Sequence, residues 1–298
     1  MKGTKSALVS LYWSGSVKPF GPIVRQNPPN LLKMLLRTSI AVLAAATLLL
    51  TSCRREKDPE PDLDYTSASD NSRAEDVFND MLLQVDNAVD ENGLRDECAP
   101  TVTFDTTSTP RTITLDFGSV NCTAPNGRLR RGRVQVSYTG HYRDQGTVIT
   151  ITPDNYHVNN IFVQGSKTVT NLGPNTAGHL AFSVVVNGTL TADDGSWTST
   201  HQAQRTRTWI EGSTTAQILD DVYLITGNGS GVNRNGVAYS LAITNALRVQ
   251  VGCPYITQGT VQVTPVGRPV VGIDWGSGTC DGTFTVTVNG QTYTVTIG

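Results

Sequence analysis

Acidic residues are absent from the first 55 positions, and lysine all but disappears after Cys98, where Lys167 is the only one. Histidine is scarce, four in 298 residues, and the four are scattered; no cysteine pair has CxxC spacing. These absences argue against a zinc site, whose ligands recur at short fixed intervals. The chain also lacks GxSxG, HExxH, the P-loop and the dinucleotide fingerprint, so the familiar signatures of hydrolase, metalloprotease and nucleotide chemistry are missing. No basic field builds up either: residues 54–97 carry 5 basic and 14 acidic side chains, and residues 98–298 carry 12 and 11. A near-neutral body offers nothing to attract a polyanionic backbone, so no nucleic-acid partner is expected.

An apolar run does exist, but it is short. From Arg37 the chain reads Thr-Ser-Ile-Ala-Val-Leu-Ala-Ala-Ala-Thr-Leu-Leu-Leu and closes on Thr51-Ser52-Cys53. That is well under the ~20 residues needed to span a bilayer and matches the apolar core of a secretory signal. Leu50-Thr-Ser-Cys53 resembles the lipobox of bacterial lipoproteins. The resemblance implies cleavage before Cys53, acylation of Cys53, and a membrane partner reached through that lipid. Residues 34–52 are then the signal, Met34 the expected start of translation, and residues 1–33 an upstream extension. The following Arg-Arg-Glu-Lys-Asp-Pro-Glu-Pro-Asp resembles the surface-export tether of Bacteroidota lipoproteins, except that Arg54-Arg55 comes first. Localisation at the outer membrane, facing the surface or the periplasm, is what this likeness implies. The tether is assigned to residues 53–69.

A helix is expected over residues 70–93. Ser72 and Glu75 have capping-box spacing, and Ala74, Val77, Phe78, Met81, Leu82, Val85 and Val89 form one apolar stripe with an acidic outer face. Asn92-Gly93 supplies the stop. The stripe predicts docking on the sheet that follows.

From Cys98 to Gly298 the pattern changes to period two, rich in Thr and Val and punctuated by Gly. It predicts an antiparallel β-sandwich or β-roll of many short strands. The last hairpin is the clearest. Asn289-Gly290 favours a type I′ turn, which pairs Val288 with Gln291, Val286 with Tyr293 and Phe284 with Val295. Gly227-Asn-Gly-Ser-Gly231 reads as a hairpin loop, and Asn187-Gly188 as a break between two strands.

The body contains an internal duplication, with units 98–140 and 253–298. Cys98 leads through Leu115-Asp116-Phe117-Gly118-Ser119 to Cys122, and Cys253 leads through Ile273-Asp274-Trp275-Gly276-Ser277 to Cys280. The separations of 24 and 27 residues predict two intra-repeat disulfides. Pairing across the repeats is the alternative. Asp116 and Asp274 are expected to cap the turns that follow them. Gly132-x-Val-x-Val-x-Tyr-Thr-Gly140 and Ile273-Asp-Trp-Gly-Ser-Gly-Thr-Cys280-Asp resemble uncharacterised Bacteroidota lipoproteins, a likeness that implies no activity. Asp105-Thr106-Thr107 resembles the O-glycosylation acceptor of the same phylum.

Candidate binding residues are the arginines. Arg128 with Arg130, and Arg205 with Arg207, would each share one strand face, the second pair near Trp197 and Trp209. Arginine forks beside aromatics suit carboxylate, phosphate or sugar, so a glycan or anionic ligand is the expected partner; stacking on a solvated sheet face is the other reading. The expectation is a lipid-anchored, non-enzymatic envelope protein, structural or ligand-binding, with no cofactor and no metal. An open β-roll that handles lipopolysaccharide and a glycan-active hydrolase are the alternatives.

Overall fold

The computed structural model describes residues 65–89, 98–215, 217, 219–253 and 255–296, and for Val89 the backbone alone. Cys53, the signal, the tether up to residue 64 and Asn92-Gly93 lie outside these residues, whereas residues 66–69, assigned to the tether, are helical. Helix α1 (Thr66–Val89) comes first, followed by fourteen strands in one antiparallel sheet. They are β1 (Thr101–Asp105), β2 (Arg111–Asp116), β3 (Cys122–Thr123), β4 (Leu129–Tyr138), β5 (Val148–Val158), β6 (Ile161–Pro174) and β7 (Leu180–Ala192). The second half holds β8 (Thr198–Glu211), β9 (Val222–Val232), β10 (Ala238–Gln250), β11 (Ile256–Pro265), β12 (Val271–Ser277), β13 (Thr283–Val288) and β14 (Gln291–Thr296).

The order is a meander from β1 to β14, with β3 alone off the path, pairing β4; the path does not close into a barrel. Consecutive antiparallel strands need only tight turns, which the Gly-bearing dipeptides provide. Asn289 and Gly290 both take positive φ, 51° and 73°, as a type I′ turn demands. The register of the last hairpin is the expected one: Val288↔Gln291, Val286↔Tyr293, Phe284↔Val295.

The two Cys-to-Cys units pair in a like way in the ladder. In the first unit Thr101, Val102 and Phe104 face Asp116, Leu115 and Ile113. In the second, Thr260, Val261 and Val263 face Asp274, Ile273 and Val271. Both units close as expected, by Cys98–Cys122 and Cys253–Cys280. Asp116 accepts from Gly118 N and Asp274 from Gly276 N, each at 2.8 Å. The carboxylates serve the positive-φ glycine turn, Gly118 at 83° and Gly276 at 76°.

Three expectations are corrected. Gly227–Gly231 is not a loop: it forms the middle of β9 and pairs with β8 and β10 on its two sides. Its glycines leave room for partners, since a Cβ on Gly229 would sit 3.3 Å from the Arg205 guanidinium, and one on Gly231 2.7 Å from the Tyr239 hydroxyl. Asn187-Gly188 does not break a strand but sits mid-β7, where a Cβ on Gly188 would lie 2.2 Å from the Phe78 ring. The helix begins at Thr66, so Ser72 lies within it and is no cap; Ser69 N bonds Tyr65 O at the true start.

Where the core sits follows from the two faces of α1. Its apolar stripe, Ala74 to Val85, joins β2 and β4 to β9 in one buried cluster, including Leu115, Tyr156, Phe182 and Trp209. A second cluster, Leu241, Leu247, Val249, Val261, Val263 and neighbours, lies on β10 to β13. α1 contacts β5, β7, β8 and β11, so the sheet curls around it and covers both faces. The acidic outer face anticipated for the helix is therefore an inner one. Asp70, Glu75, Asp80 and Asp86 are all buried.

Candidate functional site

Buried carboxylates require partners, and for Asp70, Glu75 and Asp80 the sheet's strands and turns supply them. On β4, Arg130 grips Asp80 with two bonds, Nε at 3.1 Å and Nη2 at 2.6 Å. Arg128 reaches Asp76 at 2.7 Å and Asp80 at 3.1 Å. On β8, Arg205 donates to Glu75 Oε1 at 2.8 Å, and its other nitrogen reaches the Asn228 carbonyl exposed by the glycines of β9. His201 Nε2 lies 3.5 Å from the same Glu75 oxygen. At the start of the helix, Arg234 binds Asp70 and stacks 4.4 Å over Trp197. Asn233 donates to Ser67 at 2.9 Å.

Electrostatics follow the packing. Burial by itself would raise the Glu75 carboxyl, but His201, Arg205 and Lys167 together hold it at about 2. Asp86 has no such clamp: burial pushes it well above the carboxylate range, against the pull of Arg207 and Lys167. Neither Asp86 oxygen has a hydrogen-bond partner. Burial lowers Lys167 to about 8, while Glu75 and Asp86 pull the other way. Lys167 Nζ donates to Asn79 Oδ1 at 2.5 Å and to Phe78 O at 3.5 Å.

Arg205 and Arg207 both lie on β8, as expected, but Arg128 precedes β4 and so does not share a strand with Arg130, and neither pair forms an open ligand-binding surface. Arg128, Arg130 and Arg205 turn inward and hold the helix. Arg131 and Arg133 turn outward to Asp193 and Asp154, at 2.7 and 2.8 Å. Arg207 is 1% exposed and makes no hydrogen bond from any of its three nitrogens. Its guanidinium instead lies 4.5 Å over Tyr223, 5.0 Å over Phe182 and 5.7 Å over Tyr142. Trp209 is buried, with Nε1 donating to Asp221 at 3.2 Å and Arg143 stacked 4.5 Å over its ring.

The adjacent carboxylates beside the turns, Asp193-Asp194 and Asp220-Asp221, are occupied locally. Asp193 takes Arg131 and His157, Asp194 takes Ser196 N, Asp220 takes Thr215, and Asp221 takes Trp209 and Tyr223. Asp105 accepts from Thr107 N, Thr107 Oγ1 and Ser108 N, and these bonds hold its carboxyl at about 2. Among the described residues no group of three or more His, Cys, Asp or Glu side chains could hold a metal ion.

Sequence reasoning missed the space left inside. Ala68, Asn71, Ser72, Glu75 and Asn79 share one helix face by their spacing. They look across a cavity of about 70 Å³ at an aliphatic wall from β9 to β12. Lys167, Arg205 and Arg207 line the same cavity, and Trp275 borders it. One signal was readable: the only lysine of the β region falls on an inward position of β6, between the outward Gly165-Ser166 and the buried Val169.

Compared with family models, with curated proteins and with solved structures, the chain finds no significant match in any of the three.

Proposed function

We propose that the chain is an exported protein of the cell envelope, held at the outer membrane by acyl chains on Cys53, whose β body binds rather than catalyses. The observation that carries this reading is the pair of disulfides: all four cysteines after Cys53 are joined within the body. Disulfides persist in oxidising compartments and are rare where thiols are kept reduced. Two acyl chains, at ~0.8 kcal/mol per buried CH₂, give a durable anchor. The engagement of inward arginines with helix carboxylates supports a binding or structural role, because it commits to packing the groups that acid–base chemistry would use.

Labelling of producing cells with alkyne-palmitate tests the anchor. Wild type should carry the label and sediment with membranes, and Cys53→Ala should do neither. Equal labelling of both proteins would sink the reading. Lipopolysaccharide handling would need an apolar channel through the sheet layers, the space in which α1 packs.

A further inference from the structure

A meander turns alternately at the two ends of its sheet, and the registers fix which turns share an end. Val232 pairs with Thr200 and Ala238, Tyr239 with Pro265, and Val271 with Val288. The turns after β7, β9, β11 and β13 therefore stand at one end, with the turn after β5 beside them. Helix α1 starts at this same end. Ser67 accepts from the Asn233 amide at 2.9 Å and Asp70 from Arg234 N at 2.8 Å, both donors being residues of the turn after β9.

Four of these turns carry Asn or Asp at the tip, Asn159, Asp194, Asn235 and Asn289, as turns facing water do. The turn after β11 breaks the pattern. It reads Val266-Gly-Arg-Pro-Val270, with Val266 70% and Val270 40% exposed and Arg268 exposed between them. Val232 is exposed in the same patch, since it pairs with Ala238, whose carbonyl takes Val266 N at 2.8 Å. Apolar side chains gathered at a tip around a guanidinium suit a boundary that is apolar on one side and anionic on the other.

The far end of the sheet also exposes apolar side chains, Leu172 and Leu219, and chain length decides between the two ends. The eleven residues 54–64 join Cys53 to Tyr65, just before α1. Fully extended, they reach at most about 40 Å. β9 alone, 11 residues, covers about 36 Å between the start of the helix and the turn that holds Leu219. The far end would thus meet a bilayer around the Cys53 lipid only with the chain drawn out straight along the whole strand. The end at which α1 starts has no such requirement.

We propose that the tip Val266–Val270 docks on the phospholipid surface that holds the Cys53 lipid, its valines at the acyl-chain boundary and Arg268 on lipid phosphate. This rests on acylation of Cys53 and adds an orientation to it: the turns after β6, β8 and β10 point away from the membrane.

The full chain, purified from membranes of producing cells and reconstituted in vesicles of phosphatidylethanolamine and phosphatidylglycerol, tests it. Val266→Cys gives a single free thiol, since acylation blocks Cys53 and the other four cysteines are paired. A bimane there should lose most of its emission when the lipid carries a headgroup nitroxide. A bimane on Leu219→Cys should lose little. Both positions are exposed, so neither variant depends on repacking. Val270→Asp added to Val266→Cys should cut the quenching at least twofold, because a charge resists entry into the acyl boundary. Mass spectrometry of the same sample reads the acyl chains on Cys53, and their absence would overturn the anchor and the docking together. In an acylated sample, quenching equal at the two sites, greater at Leu219→Cys, or untouched by Val270→Asp would overturn the docking alone. So would a disulfide dimer through Val266→Cys that is shielded from the nitroxide, which would give the tip to a second copy of the chain.

Discussion

Arg130 and Lys167 carry much of the account, and each has a measurable signature. The Arg130–Asp80 pair is buried on both sides, so removing one partner leaves a stranded charge. Arg130→Met should cost about 3–5 kcal/mol in urea denaturation. Adding Asp80→Leu to that variant should recover a large part of the loss, since an apolar pair of similar volume tolerates burial. A single-variant cost below about 1 kcal/mol would mean that the pair is in fact solvated. Lys167 has its folded pKa depressed to about 8 from 10.5, with burial the leading cause. Between those values the unfolded chain binds more protons than the folded one, so stability rises with pH across the window. From pH 8 to 10 the gain should be about 2 kcal/mol, and Lys167→Met should abolish it. Above pH 10 the buried Tyr156, Tyr223 and Tyr239, whose ionisation burial pushes up, act in the opposite sense. An unchanged slope in Lys167→Met would place that lysine in solvent.

Elements fit because small residues sit where helix and sheet meet. Gly188 faces Phe78 so closely that a methyl group would overlap the ring. Gly188→Ala should destabilise by roughly 1–3 kcal/mol, as overpacking does. Phe78→Leu in the same chain should restore part of it, with thermal unfolding as the readout. Additive effects would indicate that the two residues do not touch. At this scale the sequence was partly readable. Alternation, turn dipeptides and the two Cys-to-Cys units pointed to strand type, the last hairpin's register and the disulfide pairing, with pairing across the units left as the alternative. The glycines of β9 and β7 misled, because glycine marks close approach as well as turns. In β9 it makes room for Arg205 and Tyr239, contacts between strands that no local pattern records. The helix start at Thr66 was hidden for a like reason: Ser72 and Glu75 have the spacing of a cap, but Glu75 is drawn away by Arg205.

The described body carries a similar Cys-to-Cys strand unit at each end of a continuous meander, which rolls around one helix. Periodicity exposed the apolar stripe on α1 but not its second buried face, because burial of charge depends on partners far along the chain, as Arg130 is 50 residues from Asp80. The same long-range fit hid the amphipathic cavity. The central claim is that α1 is an internal part of the body, clasped by the sheet's own arginines, rather than a helix laid on its surface. Native-state hydrogen exchange of the α1 amides from Phe78 to Val85 tests it most directly. The account expects them to exchange only through global unfolding, with the same free energy as the central strands β5 to β8. Exchange through a separate, lower-energy opening that leaves those strands protected would contradict it.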